Sequence, residues 1–290
     1  ILDCSPATVT KWTTRKRMNQ TLVSRSCAPK NPQRKWRTED IAKLKEVRLK
    51  TNLGRRRLAR QLRDECGLTM PIPSVAYWLR RLKLSKPQKR RARYKGVRFY
   101  NFDEIKPLEY WQSDVKDIRD AKSLPKDVYV HLIVNKLPRY QWTFIDVRTK
   151  TKFLAYSRKV NFELGMAFLK SATIWLRAFG VKQKIYIQSD WGNEFGGPSV
   201  WKWYQINKKI LEPLGAELRK IRKRQWKDNA FVERTHRTDD EEFYIPKLLG
   251  IPNTNAFLKV AWGYVTFFNT KRRHYGRGMN EQTPYDVLRK

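Results

Sequence analysis

Ile185-Tyr-Ile-Gln-Ser-Asp-Trp-Gly-Asn-Glu-Phe195 decides how this chain folds. Its first five residues have the apolar, aromatic character of a strand, Asp190 closes that strand, and Gly192 lets the backbone turn away. Asp190 is thereby carried to the carboxyl edge of a sheet, where ligands of open α/β folds gather. Upstream, Tyr110-Trp-Gln-Ser-Asp-Val-Lys116 is another strand-like stretch. Alternate residues of a strand share a face, so Asp114 lies with Gln112 and Lys116, while Asp117 points to the other side. Downstream, Asp228-Asn-Ala-Phe-Val-Glu-Arg234 opens a helix, with Asp228 as the expected N-cap and Glu233 one turn before Arg237. Alone, Glu233 and Arg237 make an ordinary surface pair at i,i+4, worth about 0.2–0.5 kcal/mol. A strand acid, a strand-end acid and a helix acid set among basic patches form a candidate metal site.

Between and beyond these blocks the apolar periodicity predicts strands near 110–119, 127–134, 140–147, 152–157 and 184–190, with a helix over about 161–179. That order describes a mixed sheet covered by helices, an α/β fold. Leu258, Ala261, Val265 and Phe268 recur at helical spacing, which predicts a helix over about 254–269 packed on the sheet. A basic loop, Lys271 to Arg277, follows, and Thr283-Pro284 starts a final short helix ending near Leu288.

Residues 1 to about 93 carry short helical patterns instead. Ser5-Pro6 is a helix start, with Lys11 and Arg15 in the basic turn after it. Thr38 precedes Ile41, Leu44 and Val47; Gly54 to Cys66 carries Leu58 and Leu62; Pro73 opens a stretch with Val75, Leu79 and Leu82. Three short helices with Gly67 in a turn are what a helix-turn-helix requires, leaving Ser74, Tyr77, Arg80 and Arg81 to face a major groove. Lys86 to Arg98, with Arg90, Arg91 and Arg93, reads as a linker lying along phosphates. The expected organisation is a remnant of a first helix-turn-helix (1–30), a second one (31–85), the basic linker (86–109) and the α/β core with its C-terminal helices (110–290).

A formal net charge of +36 requires a polyanionic partner, and phosphate backbones are the commonest. A membrane surface is the weaker alternative, since no run approaches the roughly 18 apolar residues of a spanning helix. The opening Ile1-Leu-Asp-Cys-Ser is not a signal peptide, so a cytoplasmic protein is expected, nucleoid-associated when bound to DNA. Cys4, Cys27 and Cys66 form no Cys-x-x-Cys pair and the first histidine is His131, which leaves reduced, buried thiols rather than a zinc site in that region. Cations expected to hold DNA are Arg219, Lys220, Arg222, Lys223, Arg224 and Lys227 before the third acidic block, Arg234 and Arg237 within it, and Lys271, Arg272, Arg273 and His274 near the end. Trp226 and Tyr275 interleave with these charges and are candidates to stack on unpaired bases.

Trp111-Gln-Ser-Asp, Gln188-Ser-Asp-Trp-Gly-Asn-Glu-Phe and Asp228-Asn-Ala-Phe-Val-Glu-Arg-Thr-His-Arg resemble the three signature blocks of bacterial insertion-sequence transposases with a retroviral-integrase-type catalytic core. Phe267-Phe-Asn-Thr-Lys-Arg-Arg-His-Tyr-Gly and Thr283-Pro-Tyr-Asp-Val-Leu resemble the closing segments of the same proteins. The resemblance implies a ribonuclease-H-like core in which Asp114, Asp190 and Glu233 hold two Mg²⁺ ions, with Mn²⁺ as a substitute. It further implies DNA end cleavage and joining of the 3′-hydroxyl to target DNA, with transposon ends and target as partners and at least a dimer as the working form. Two features depart from the pattern: a longer spacer of 42 residues between Asp190 and Glu233, with an extra stretch around 199–213, and Trp191 in place of a polar residue. Glu194, Asp239, Asp240, Glu241 and Glu242 are rival third acids. The rival functions are a catalytically silent helix-turn-helix regulator and a nuclease of the same fold that does not join strands.

Overall fold

The computed structural model describes residues 4–23, 35–85, 100–223 and 225–289. The linker at 86–98 with Arg90, Arg91 and Arg93, and also Arg224, Cys27 and the Trp226 side chain, lie outside the described residues. The chain divides into two compact units, 1–41 and 42–290, at a boundary inside the second helix.

The first unit contains α1 (Pro6–Arg17), which starts as expected, with Ser5 Oγ accepting from the Thr8 amide and Pro6 at the first turn. None of the α1 residues is buried. Lys11 and Arg15 lie over the Trp12 ring, 5.6 and 4.8 Å from its centroid.

The second unit takes up most of α2 (Thr38–Thr51), then α3 (Arg55–Cys66) and α4 (Ile72–Arg81). Leu44, Val47, Leu58, Leu62, Val75 and Leu79 are buried along their inner faces. Gly67, at a φ of +65°, ends α3 in the left-handed conformation that glycine adopts without strain. Arg48 is buried and donates to the Leu53 and Leu84 carbonyls, tying the end of α4 to the α2–α3 turn. This helical group docks on C-terminal residues: Asn52 donates to the Glu241 carbonyl (2.6 Å) and Arg57 to the Arg273 carbonyl (2.9 Å).

A five-stranded sheet forms the centre, in the order β3-β2-β1-β4-β5. The chain passes through β1 (Tyr110–Asp117), α5 (Lys126–Val134), β2 (Tyr140–Asp146), β3 (Lys152–Ser157), α6 (Phe162–Ala178) and β4 (Ile185–Ser189). It continues through α7 (Val200–Tyr204), which runs on as a π-helical stretch, Gln205–Leu211, and then β5 (Ala216–Lys220) and α8 (Ala230–Asp239). A π-helical segment Asp240–Tyr244, α9 (Ile245–Lys247), α10 (Thr254–Thr270) and α11 (Pro284–Leu288) complete it. β1–β2 and β2–β3 pair antiparallel, β1–β4 and β4–β5 parallel. This mixed α/β architecture is compatible with a ribonuclease-H-like core.

Four sequence expectations change. Residues 127–134 are helix α5, not a strand, because Pro125 at φ −56° sets the helical turn and Val128 with Leu132 bury one face. β5 was not foreseen: its core contribution is only Ala216 and Leu218 between charged neighbours, which leaves little apolar signal. On α10 the buried stripe is Phe257, Ala261, Tyr264 and Phe268, while Leu258 is exposed. Cys4 is exposed and Cys66 half-buried, so neither is the buried thiol expected.

The sheet's two faces differ in chemistry. Trp111, Trp142, Phe144, Ile185, Ile187 and Leu218 point to one side, into an apolar core with Leu169 and Leu176 of α6. On the opposite side the same strands bear Gln112, Asp114, Gln141, Thr143 and Gln188, covered by α8 and the C-terminal helices. Burying that many polar groups is affordable only because each is hydrogen-bonded or ion-paired there.

Candidate active site

The parallel register pairs Trp111 with Ile187 and Gln112 with Gln188, so the tripeptide Gln-Ser-Asp occurs in step on adjacent strands, at 112–114 and 188–190. Continued two residues beyond the Gln112–Gln188 pair, this register sets Asp114, within β1, level with Asp190 just past the end of β4, near enough for the Asp190 charge to act on Asp114. Both glutamines are fully buried, and their side-chain amides converge on the Asp228 carbonyl at 2.7 and 2.8 Å. Gln112 Oε1 also accepts from the Phe231 and Val232 amides, at 2.9 and 3.2 Å, filling the cap at the start of α8. Asp228 is therefore not the side-chain cap that the sequence predicts. Its carboxylate, buried, instead takes a two-pronged contact from Arg222, at 2.8 and 2.6 Å.

Glu233 sits just after that glutamine-held start of α8. Three residues on, His236 Nδ1 reaches Asp114 Oδ2 at 3.6 Å, and residues three apart share a helix face, so Glu233 is on the side of α8 turned to β1. Arg237 does not pair with it; that guanidinium meets Glu241 at 3.0 Å.

Electrostatics couple these acids. Burial pushes the Asp114 carboxyl up to about 8, and the charges of Asp190, Glu194 and Glu233 add to the shift. Burial also raises Glu233 and Glu194, the latter with help from Asp190. His236 supplies no countercharge, since burial holds its imidazole down at about 3, neutral, with Nε2 3.0 Å from the Thr143 hydroxyl. The Asp190 loop is fixed from below: Gly192 N donates to Asp190 Oδ1 (2.9 Å), and Lys220 Nζ donates to the Asp190 and Phe195 carbonyls at 3.0 and 2.6 Å. Lys220 is thus an internal brace, its ammonium lowered to about 8 by burial. A Cβ on Gly165 of α6 would stand 1.9 Å from the Glu194 carbonyl, so only glycine lets this loop close on the helix.

An all-carboxylate donor set is hard and suits Mg²⁺ or Mn²⁺. Acids close enough for their charges to raise the Asp114 carboxyl fit a divalent cation in charge, although among the described residues no three Asp, Glu, His or Cys side chains stand in ready ligating geometry. Four rival acids are otherwise engaged: Asp239 with the buried Lys152 (2.5 Å), Asp240 with Lys116 (2.5 Å), Glu241 with Arg237 and Glu242 with Arg272. Glu194 alone among the rivals shares the field of Asp114 and Asp190.

The basic residues separate into structural and exposed groups. Arg272 does not face solvent as the sequence suggests: it is 4% exposed, pairs with Glu242 at 2.6 Å and lies over the Phe268 ring. Arg273 pairs with Asp286 at 2.7 Å, and Arg222 is engaged by Asp228. Lys223, Lys227, Arg234, Arg237 and Lys271 are exposed, as are Tyr77, Arg80 and Arg81 on α4, whereas Ser74 is half-buried. Tyr275 stacks between Arg56 and Arg57, 5.9 and 5.8 Å from their guanidinium carbons. Of the other cations expected to hold DNA, Lys220 is the internal brace, Arg219 pairs with Glu217 at 2.9 Å and His274 is buried. Gln112, Gln188 and His236 were not singled out as site residues by the sequence. The repeated Gln-Ser-Asp was the signal available for the first two.

No protein-family model matches the chain, and no curated protein matches its sequence. Among solved structures, a chain from the cryo-EM structure of the simian T-cell lymphotropic virus intasome in complex with PP2A regulatory subunit B56 gamma superposes with a TM-score of 0.48 and 13% identity, over 86% of this chain and 74% of that one. From so distant a likeness no residue role follows. Among the described residues, no helix is long and apolar enough to cross a membrane.

Proposed function

We propose that this protein is a Mg²⁺-dependent DNA transposase that binds the ends of a mobile element, cleaves a strand at each and joins the freed 3′-hydroxyl to target DNA. The observation that supports the reading is the in-step pair of Gln-Ser-Asp segments, whose register continued by two residues puts Asp114 level with Asp190 beyond the end of β4, with Glu233 on the helix over β1. Asp114, Asp190 and Glu233 would hold the cations. Divalent ions held there would supply an activated oxygen nucleophile and stabilisation of the leaving oxygen. Gln112 and Gln188 lock the strands and the start of α8 into one frame, so the three acids keep their spacing. Neutral His236 packs against Asp114 without competing for a cation through charge. Lys223, Lys227, Arg234 and Lys271 would neutralise backbone phosphates, whereas Tyr77, Arg80 and Arg81 on α4 would read a major groove as part of a helix-turn-helix. Two ends must be handled together, so at least a dimer acts, in the cytoplasm and on the nucleoid.

Incubating labelled end DNA with the protein and Mg²⁺ tests the reading. Joined products support transposition, cut products alone indicate a nuclease, and a bound complex without chemistry indicates a regulator.

A further inference from the structure

Trp191 follows Asp190 directly, yet its indole is not part of the core: the residue is 38% exposed. Its orientation is fixed, because Nε1 donates to the Ile221 carbonyl at 2.9 Å, and that carbonyl lies just past the end of β5. The ring therefore spans the carboxyl ends of β4 and β5, on the side of Asp190 away from Asp114, since the strands run in the order β1-β4-β5. Lys223, exposed, has its ammonium 5.7 Å from the ring centroid. A strand held at the acids and continuing across this edge would meet an immobilised aromatic plane and then a cation.

We propose that the exposed indole face of Trp191 is a stacking platform for an unpaired base next to the phosphate held at Asp114 and Asp190, with Lys223 on the adjoining phosphate. This rests on the proposed DNA-processing reading. A single strand is the occupant that fits, because the molecule carries a net charge of +36 and a base offers a π-face beside a phosphate charge. An apolar protein partner would have to bury the Lys223 ammonium unpaired. The ring is already held by its hydrogen bond, so little side-chain freedom is lost on stacking.

The test is fluorescence anisotropy, in EDTA, with a fluorescein-labelled oligothymidylate and a labelled duplex of equal length. Trp191→Ala is expected to weaken oligothymidylate binding about 5- to 150-fold, the range that stacking free energies per base convert to, while duplex affinity falls less than twofold. Trp191→Phe keeps a π-face and is expected to restore most of the loss, and Trp191→Leu is not. Thermal melting of each variant separates a folding defect from a lost contact, and the phenylalanine variant keeps the test decisive if alanine unfolds. Unchanged oligothymidylate affinity in Trp191→Ala, equal losses on both probes, leucine performing as well as phenylalanine, or no oligothymidylate binding by the parent protein would each overturn the proposal. Because no metal is present, a failure of Mg²⁺ chemistry leaves this outcome unaffected.

Discussion

Asp114 is held in an environment that disfavours its own charge. Its carboxyl is raised from 3.8 to about 8 by burial and neighbouring acids, so between those pH values the unfolded chain releases a proton that the native state retains. That contribution is fully favourable below about 4 and is lost as pH rises toward 8, so the metal-free protein is expected to lose stability across that window. Asp114→Asn is expected to flatten the decline and to raise the melting temperature at neutral pH without metal, measured by thermal denaturation from pH 4 to 8. Mg²⁺ is expected to raise the melting temperature of the parent protein but not of the variant, and cleavage is expected to vanish while DNA binding persists. A variant that melts lower at pH 7 and still responds to Mg²⁺ would sink the assignment of Asp114. Gln112 gives a second expectation at this scale: Gln112→Ala strips the partner from the Phe231 and Val232 amides, while the Asp228 carbonyl keeps Gln188, and each unsatisfied buried amide costs about 1–3 kcal/mol. Urea unfolding checks this, and an effect below 1 kcal/mol would show the cap to be replaceable by water. The acids were legible in the sequence because strand alternation, a strand-ending glycine and a helix start are local signals. The glutamines that fix them act across 40 to 120 residues of chain, and local pattern carries no such information.

At the scale of elements, α5 shows where local reading runs out. Val128, Val130, Leu132 and Val134 alternate as in a strand, yet Val130 and Val134 are 48% and 70% exposed while Val128 and Leu132 are buried. Packing against Leu248 and Ile251 decided between two periods that eight residues cannot separate, and His131 Nε2 meets the Ile251 carbonyl at 2.9 Å to hold the outcome. Helix α10 was legible because seventeen residues resolve its period, though the buried stripe is rotated from the one predicted. Phe268 is on both, 2% exposed, so Phe268→Ala is expected to lower stability by about 3–5 kcal/mol in denaturant unfolding without DNA. A loss under 1 kcal/mol would mean that α10 is not anchored on the sheet through this residue.

Across the whole molecule, the positive charge falls into a buried, paired group and an exposed group that composition alone cannot separate. Lys271 and Arg272 are neighbours in sequence, but Lys271 is exposed whereas Arg272 is buried against Glu242, which also faces Arg57 of α3 at 3.7 Å. Arg272 thereby anchors the C-terminal segment on which the N-terminal helices of the larger unit dock, and a buried ion pair that loses one partner leaves the other charge uncompensated. Arg272→Ala is therefore expected to cost about 3–5 kcal/mol of stability. Lys271→Ala is expected to leave stability within about 0.5 kcal/mol, as surface substitutions usually do. If Lys271 meets a phosphate, its removal is expected to make the log–log salt dependence of DNA binding shallower by about 0.9, one contact's worth of released counterions. Chemical denaturation and anisotropy titrations at several salt concentrations measure both quantities on the same samples. An Arg272→Ala protein of full stability with a reduced salt slope would reverse the assignment, making Arg272 the DNA contact and its pairing with Glu242 dispensable. A Lys271→Ala protein with an unchanged slope would move the proposed DNA path off this loop and toward Lys223 and Arg234, whose side chains are exposed.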